Sequence, residues 1–96
     1  MPDYMFLMHG DCVSPEASWE PYLRRLNESG AFQGGSAIGG VCARKAGAPA
    51  PLTAHLVGFI RVNADNFDAA RSLLAGNPVF EAGGTVEIRE LPRTDE

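Results

Sequence analysis

The apolar positions of this chain change their spacing several times, and each change marks an element. Tyr4-Met5-Phe6-Leu7-Met8 is an unbroken apolar run closed by Gly10-Asp11, the pattern of a strand buried on both faces. Trp19, Tyr22, Leu23 and Leu26 then recur at helical spacing until Gly30, a residue suited to the positive φ of a helix C-terminus. Proline has no amide donor and is tolerated only in a first turn, so Pro21 sets where this helix begins. Ser18 as N-cap and a helix from about Trp19 to Ser29 satisfy that limit.

From Phe32 to Arg44 small residues dominate, including Gly34-Gly35 and Gly39-Gly40. Propensity favours a loop, yet a chain this short needs a second strand between its helices, and strand glycines mark bulges or close approach of a backbone or ligand. The stretch reads as strand two, with Lys45 to Pro51 as the turn after it. Thr53 to Val62 alternates, with Leu56, Ile60 and Val62 on one parity and His55, Val57, Phe59 and Arg61 on the other, which predicts strand three. Asn63 or Asp65 caps a second helix with Phe67, Ala70, Leu73 and Leu74 as its stripe, ended by Gly76-Asn77-Pro78. Val79 to Ala82 is a short connection. Gly83-Gly84 turns the chain into Thr85 to Leu91, a strand of period two that Pro92 terminates before a polar tail, Arg93 to Glu96.

The order is βαββαβ, an α+β fold of the ferredoxin-like kind with a four-stranded antiparallel sheet and two helices on one face. The 96 residues suit one domain. The other face of the sheet is left bare, with Val57 and Phe59 from strand three and Phe6 and Met8 from strand one expected on it. A second copy packed sheet to sheet covers such a patch, so a homodimer is expected.

Composition narrows the partners. Apolar residues make up 45% and charged residues 21%, as in ordinary globular chains, which excludes a disordered tail or a fibrous repeat. Eight basic residues against twelve acidic give a net charge of −4, a poor footprint for neutralising phosphates, so no nucleic acid is expected. The N-terminal apolar run is short and has no basic stretch before it, so neither signal peptide nor membrane span is expected. Cys12 and Cys42 are too few and too far apart for a disulfide framework or a zinc knuckle, and read as free thiols of a cytoplasmic protein.

The chemistry-bearing residues gather on the parity assigned to the bare face: His55 and Arg61 on strand three, and Thr85, Glu87 and Arg89 on strand four. A histidine beside a carboxylate is a general base, and two arginines hold an anion, so His55 is the catalytic candidate and Arg61, Glu87 and Arg89 are ligand-binding candidates. The competing reading is structural, with Glu87 and Arg89 in cross-strand ion pairs with Arg61 across the sheet or the dimer. His9, beside Asp11 and Cys12, reads as a strand-end histidine satisfied by backbone; only His55 and Cys42 remain elsewhere to complete a metal site, and none is expected. Trp19 and Tyr22 suit a core or a pocket wall. The paired glycines are not a phosphate loop, because no Gly-Lys-Ser/Thr follows them.

The opening Tyr4 to Asp11, the Trp19 to Ser29 helix with Gly30-Ala31-Phe32 after it, and the stretch from Asn77-Pro78 to Gly83-Gly84-Thr85-Val86-Glu87-Ile88-Arg89 resemble the YCII-related proteins, in particular the DGPF-domain branch. The resemblance implies a dimeric α+β barrel, two ferredoxin-like sheets facing each other around a cleft. Members of that superfamily carry a helix histidine and an aspartate before a proline, a pair assigned to acid–base chemistry, and a related dehydrochlorinase acts on a chlorinated aromatic ring. Tyr22 and Asn77 stand at those two places here, and Gly47-Ala48-Pro49-Ala50-Pro51 stands where the Asp-Gly-Pro-Phe motif would be. Tyrosine and asparagine orient a ligand but do not readily exchange protons near pH 7, so both join the ligand-binding candidates. The expected function is a non-catalytic binding or accessory role toward a small anionic or aromatic molecule, without a cofactor. The alternative is a small-molecule lyase, isomerase or dehydrochlorinase-like enzyme using the same cleft.

Overall fold

The computed structural model describes residues 1–11 and 19–92. Their elements run β1 (Asp3–His9), α1 (Trp19–Glu28), β2 (Phe32–Ala37), β3 (Leu56–Asn63), α2 (Phe67–Ser72), α3 (Pro78–Glu81) and β4 (Val86–Leu91). The strands form one antiparallel sheet in the order β2-β3-β1-β4, giving an α+β fold of the ferredoxin-like kind. The expected cap at Ser18, the Cys12 thiol and the tail from Arg93 lie outside the described residues.

Alternation sorts the two central strands into a covered and an open face. Tyr4, Phe6 and Met8 of β1 and Ile60 and Val62 of β3 are buried with Tyr22 and Leu26 of α1 and with Ala70, Leu74 and Val79. Val86 and Ile88 of β4 pack against this cluster from the outer strand. The reading of β1 as buried on both faces therefore needs correction, because its odd positions are only half-buried. Phe6 and Met8 also change sides. Phe6 pairs with Ile60 and Ile88 beneath the helices, whereas Leu7 pairs with Phe59 and Glu87 on the open face. An unbroken apolar run carries no parity of its own, and a shift of one residue exchanges the faces.

The helix ends show local chemistry. Gly30 takes φ 80° after α1, as its position suggested. Asn66, rather than Asn63 or Asp65, caps α2, its Oδ1 accepting from the Ala69 amide at 2.8 Å. Asn63 is still the last residue of β3, and buried Ala64 is tied to the Pro2 carbonyl, so the chain turns only afterwards. The connection at Val79 to Ala82 contains a single helical turn, α3, with Asn77 as its cap and Pro78 in its first turn.

Strand β2 is shorter than expected, ending at Ala37 instead of Arg44. Its ladder runs out with the Ile38 amide on the Val57 carbonyl at 3.0 Å, because β3 begins just before that point. The glycines mark a bulge, as anticipated: Gly34 has φ 114°, and the register with β3 shifts between Phe32 and Gly35. No helix among the described residues is long and apolar enough to cross a membrane.

Candidate functional site

Small residues on the covered face of β2 and β3 leave space beneath α1. Gly35 pairs with Ile60 and Ala37 pairs with Gly58, so three neighbouring positions on that face carry a methyl group or less. A cavity of about 480 Å³ opens there, walled by Met8, Trp19, Leu23, Phe32, Ile60 and Val79. This is the size and the largely apolar character of a small-molecule pocket. Where β1 leaves the sheet, His9 and Gly10 also border the space.

His9 joins this cavity to a polar cluster. Its Nε2 lies 2.6 Å from Oε2 of Glu87, and its ring meets that of His55 edge to face, with centroids 4.7 Å apart. Glu87 also accepts from Nη1 of Arg89 at 3.3 Å. The hydrogen bond from His9, with help from Arg89, holds the Glu87 carboxyl below the ordinary carboxylate range. Nearby, Asp11 accepts from the Thr85 amide at 2.8 Å and from its hydroxyl at 2.7 Å, and these two bonds hold its carboxyl low as well. They pin the exit of β1 to the entrance of β4. Backbone bonds complete the frame, from the His9 amide to Thr85 and from the Gly10 amide to His55, at 2.9 and 2.8 Å.

Three of the residues expected at the site, His55, Glu87 and Arg89, thus fall in one line of contacts with a fourth, His9, which stands between His55 and Glu87 and whose ring was expected to be satisfied by backbone. Only the His9 amide does that. Arg61 stands apart on the open face, with Met5 in register between it and Arg89. Within the chain the carboxylate of Glu87 takes His9 and its own-strand neighbour Arg89, not Arg61 across the sheet. The signal for His9 was its odd parity with Met5 and Leu7, which becomes useful only when the pairing of β1 with β4 is known.

Tyr22 and Asn77 come together elsewhere, inside the core. Tyr22 is buried and donates to the Leu73 carbonyl at 2.9 Å. Asn77 is fully buried, and its Oδ1 accepts from the Phe80 amide at 3.1 Å. Its Nδ2 makes no hydrogen bond. Burial pushes the Tyr22 phenol above its ordinary pKa, opposed by the Asn77 amide and the Arg25 charge. Neither side chain borders the cavity under Trp19 and Leu23. Tyr22→Phe removes the hydrogen bond to the half-buried Leu73 carbonyl, so it is expected to lower stability by about 0.5–1.5 kcal/mol, read as a lower denaturant midpoint at constant slope.

The geometry therefore presents an apolar cavity with a histidine–carboxylate cluster at one end. Comparison with family models, with curated proteins and with solved structures found no match to this chain.

Proposed function

We propose that this protein binds a small, largely apolar molecule, aromatic compounds being the class best suited, in the cavity beneath α1, and that its role is binding rather than catalysis. The observation that carries the reading is the cavity itself. Trp19 and Phe32 offer flat aromatic surface and Leu23, Ile60 and Val79 offer aliphatic surface, with His9 as the polar contact at one end. The two arginines offered as anion holders, Arg61 and Arg89, do not border this space, which weights the ligand toward aromatic character over negative charge.

Kinship with the YCII-related proteins and a homodimer through the open sheet face belong to the same proposal. In support of the dimer, Leu7 and Phe59 pair across that face beside Val57, which is 44% exposed. The face also carries both signs of charge, Arg61 and Arg89 against Glu87, so a two-fold copy meets complementary groups. The exposed thiol of Cys42 suits a reducing compartment, and a cytoplasmic setting completes the reading.

A second reading, acid–base catalysis on a cavity-bound substrate, is favoured by one observation. Glu87 holds the ring of His9 at the cavity's end, the arrangement of a carboxylate orienting a general base. In this version His9 takes the part first given to His55.

A thermal-shift screen of chelator-treated protein against benzoate, salicylate, indole and aliphatic acids of similar size separates these readings, with sedimentation of the same sample giving the oligomeric state. Binding is expected to raise the midpoint with aromatic compounds, by mass action, and to survive both His9→Ala and His55→Ala. A response that persists in Tyr22→Phe accords with its place in the core. Turnover of a bound compound that His9→Ala abolishes would establish the enzyme reading instead. A folded protein indifferent to every aromatic compound would refute a working pocket.

A further inference from the structure

The cluster at the end of β1 has a composition that neither its structural role nor the cavity requires. Two imidazoles and one carboxylate converge from three separate places, His9 at the end of β1, His55 in the turn before β3 and Glu87 in β4. One ligand atom from each lies within 4.8 Å of the other two. We propose that His9, His55 and Glu87 form a binding site for a divalent transition-metal ion of the zinc type.

The donor set selects the ion. Neutral imidazole nitrogen with one carboxylate oxygen suits zinc and its first-row neighbours, whereas magnesium and calcium prefer oxygen ligands throughout. Metal–nitrogen bonds of about 2.0–2.1 Å place the donors of a tetrahedral site about 3.4 Å apart, so closure from the observed spacing takes side-chain movements of about 1 Å. His55 is exposed and precedes the first residue of β3, which leaves its ring free to turn toward His9. The close contact of His9 with Glu87 opens to admit the ion.

The surroundings provide a supporting layer. Arg89 occupies the second oxygen of Glu87, leaving Oε2 as the donor that faces His9. The Asp11 bonds to Thr85 and the Gly10 bond to the His55 carbonyl fix the backbones from which both histidines project. Three protein ligands leave a tetrahedral ion one open position.

The test uses the full chain stripped with chelator and titrated with Zn²⁺ by calorimetry, with Mg²⁺ as the control ion. The chain has only two histidines, so ring ¹H–¹⁵N correlation spectra read each site directly. One Zn²⁺ per chain is expected, with ring-nitrogen shifts at both histidines and no response to Mg²⁺. His55→Ala and Glu87→Gln, the first at an exposed position and the second nearly isosteric, should each weaken binding tenfold or more while circular dichroism stays unchanged. The double variant Cys12→Ser/Cys42→Ser should bind like the parent. Absence of one-to-one binding, binding that both site variants retain, or binding that disappears with the cysteines overturns the proposal. Because the aromatic screen is run on metal-free protein, failure here leaves the cavity reading standing, and failure there leaves this one.

Discussion

Replacing Phe6 by alanine should destabilise this protein more than any other single truncation in the sheet. Phe6 is fully buried at the middle of a central strand, between Ile60 of β3 and Ile88 of β4. Tyr22 and Leu26 of α1 belong to the same cluster. Truncation removes the transfer free energy of a ring and leaves a void bordered by strands that cannot collapse without losing register, a combined cost of about 3–5 kcal/mol. A domain of this size has roughly 5–15 kcal/mol in total. Each kcal/mol moves the midpoint by about 4–8 °C, so thermal melts followed by circular dichroism should show a fall on the order of 20 °C. Phe67→Ala is the internal comparison. That ring is half exposed and touches Tyr4 edge to face at 5.0 Å, and its loss should cost about 1 kcal/mol or less. Equal falls for the two variants would refute the placement of the core on the even positions of β1.

Gly35→Ala is expected to disturb both the sheet and the cavity. A Cβ at Gly35 would stand 2.5 Å from the Phe59 carbonyl oxygen and 3.1 Å from the Cα of Ile60. Both neighbours are backbone, so β2 must move away from β3 rather than a side chain turning aside. The strain should cost about 1–3 kcal/mol. Because β2 lies at the edge of the sheet, part of that cost appears as local opening, seen as faster amide exchange from Gly35 to Ala37 than in β1. The same strand forms one wall of the cavity, so any aromatic compound that stabilises the parent should lose most of its effect. Gly39→Ala, where nothing lies within 4 Å, should be neutral. A Gly35→Ala protein with unchanged exchange and unchanged ligand response would show that the approach of the two strands is not tight in solution.

These two positions illustrate what could be read in advance. The glycine-rich stretch after Phe32 announced either a bulge or a close approach, and it holds both: the turn of backbone at Gly34 and the contact at Gly35. A third consequence was hidden. Gly35, Ala37 and Gly58 share one face only because β2 pairs with β3 in a particular register, and their shared smallness is what opens the cavity. Tyr22 and Asn77 show the same limit from the opposite side. Their residue types suit ligand contact, but a phenol and an amide serve equally well to satisfy a half-buried carbonyl and to cap α3.

The amino-acid sequence by itself determined the order of the four strands and the two longer helices, the helix ending at Gly30, the alternating strand before Pro92 and the α+β class, because each follows from spacing and backbone stereochemistry within a few residues, while the single turn of α3 was read as a plain connection. It also singled out His55, Glu87 and Arg89 as neighbours in chemistry. Only the tertiary structure decided that His9 stands between His55 and Glu87, that Phe6 and Met8 face the helices, and that Arg61 lies apart. Those facts depend on strand register, which is set by contacts between residues as distant as His9 and Glu87. Side chains in a strand alternate with a period of two, so one residue of register decides which group meets which, and local sequence carries no record of that choice.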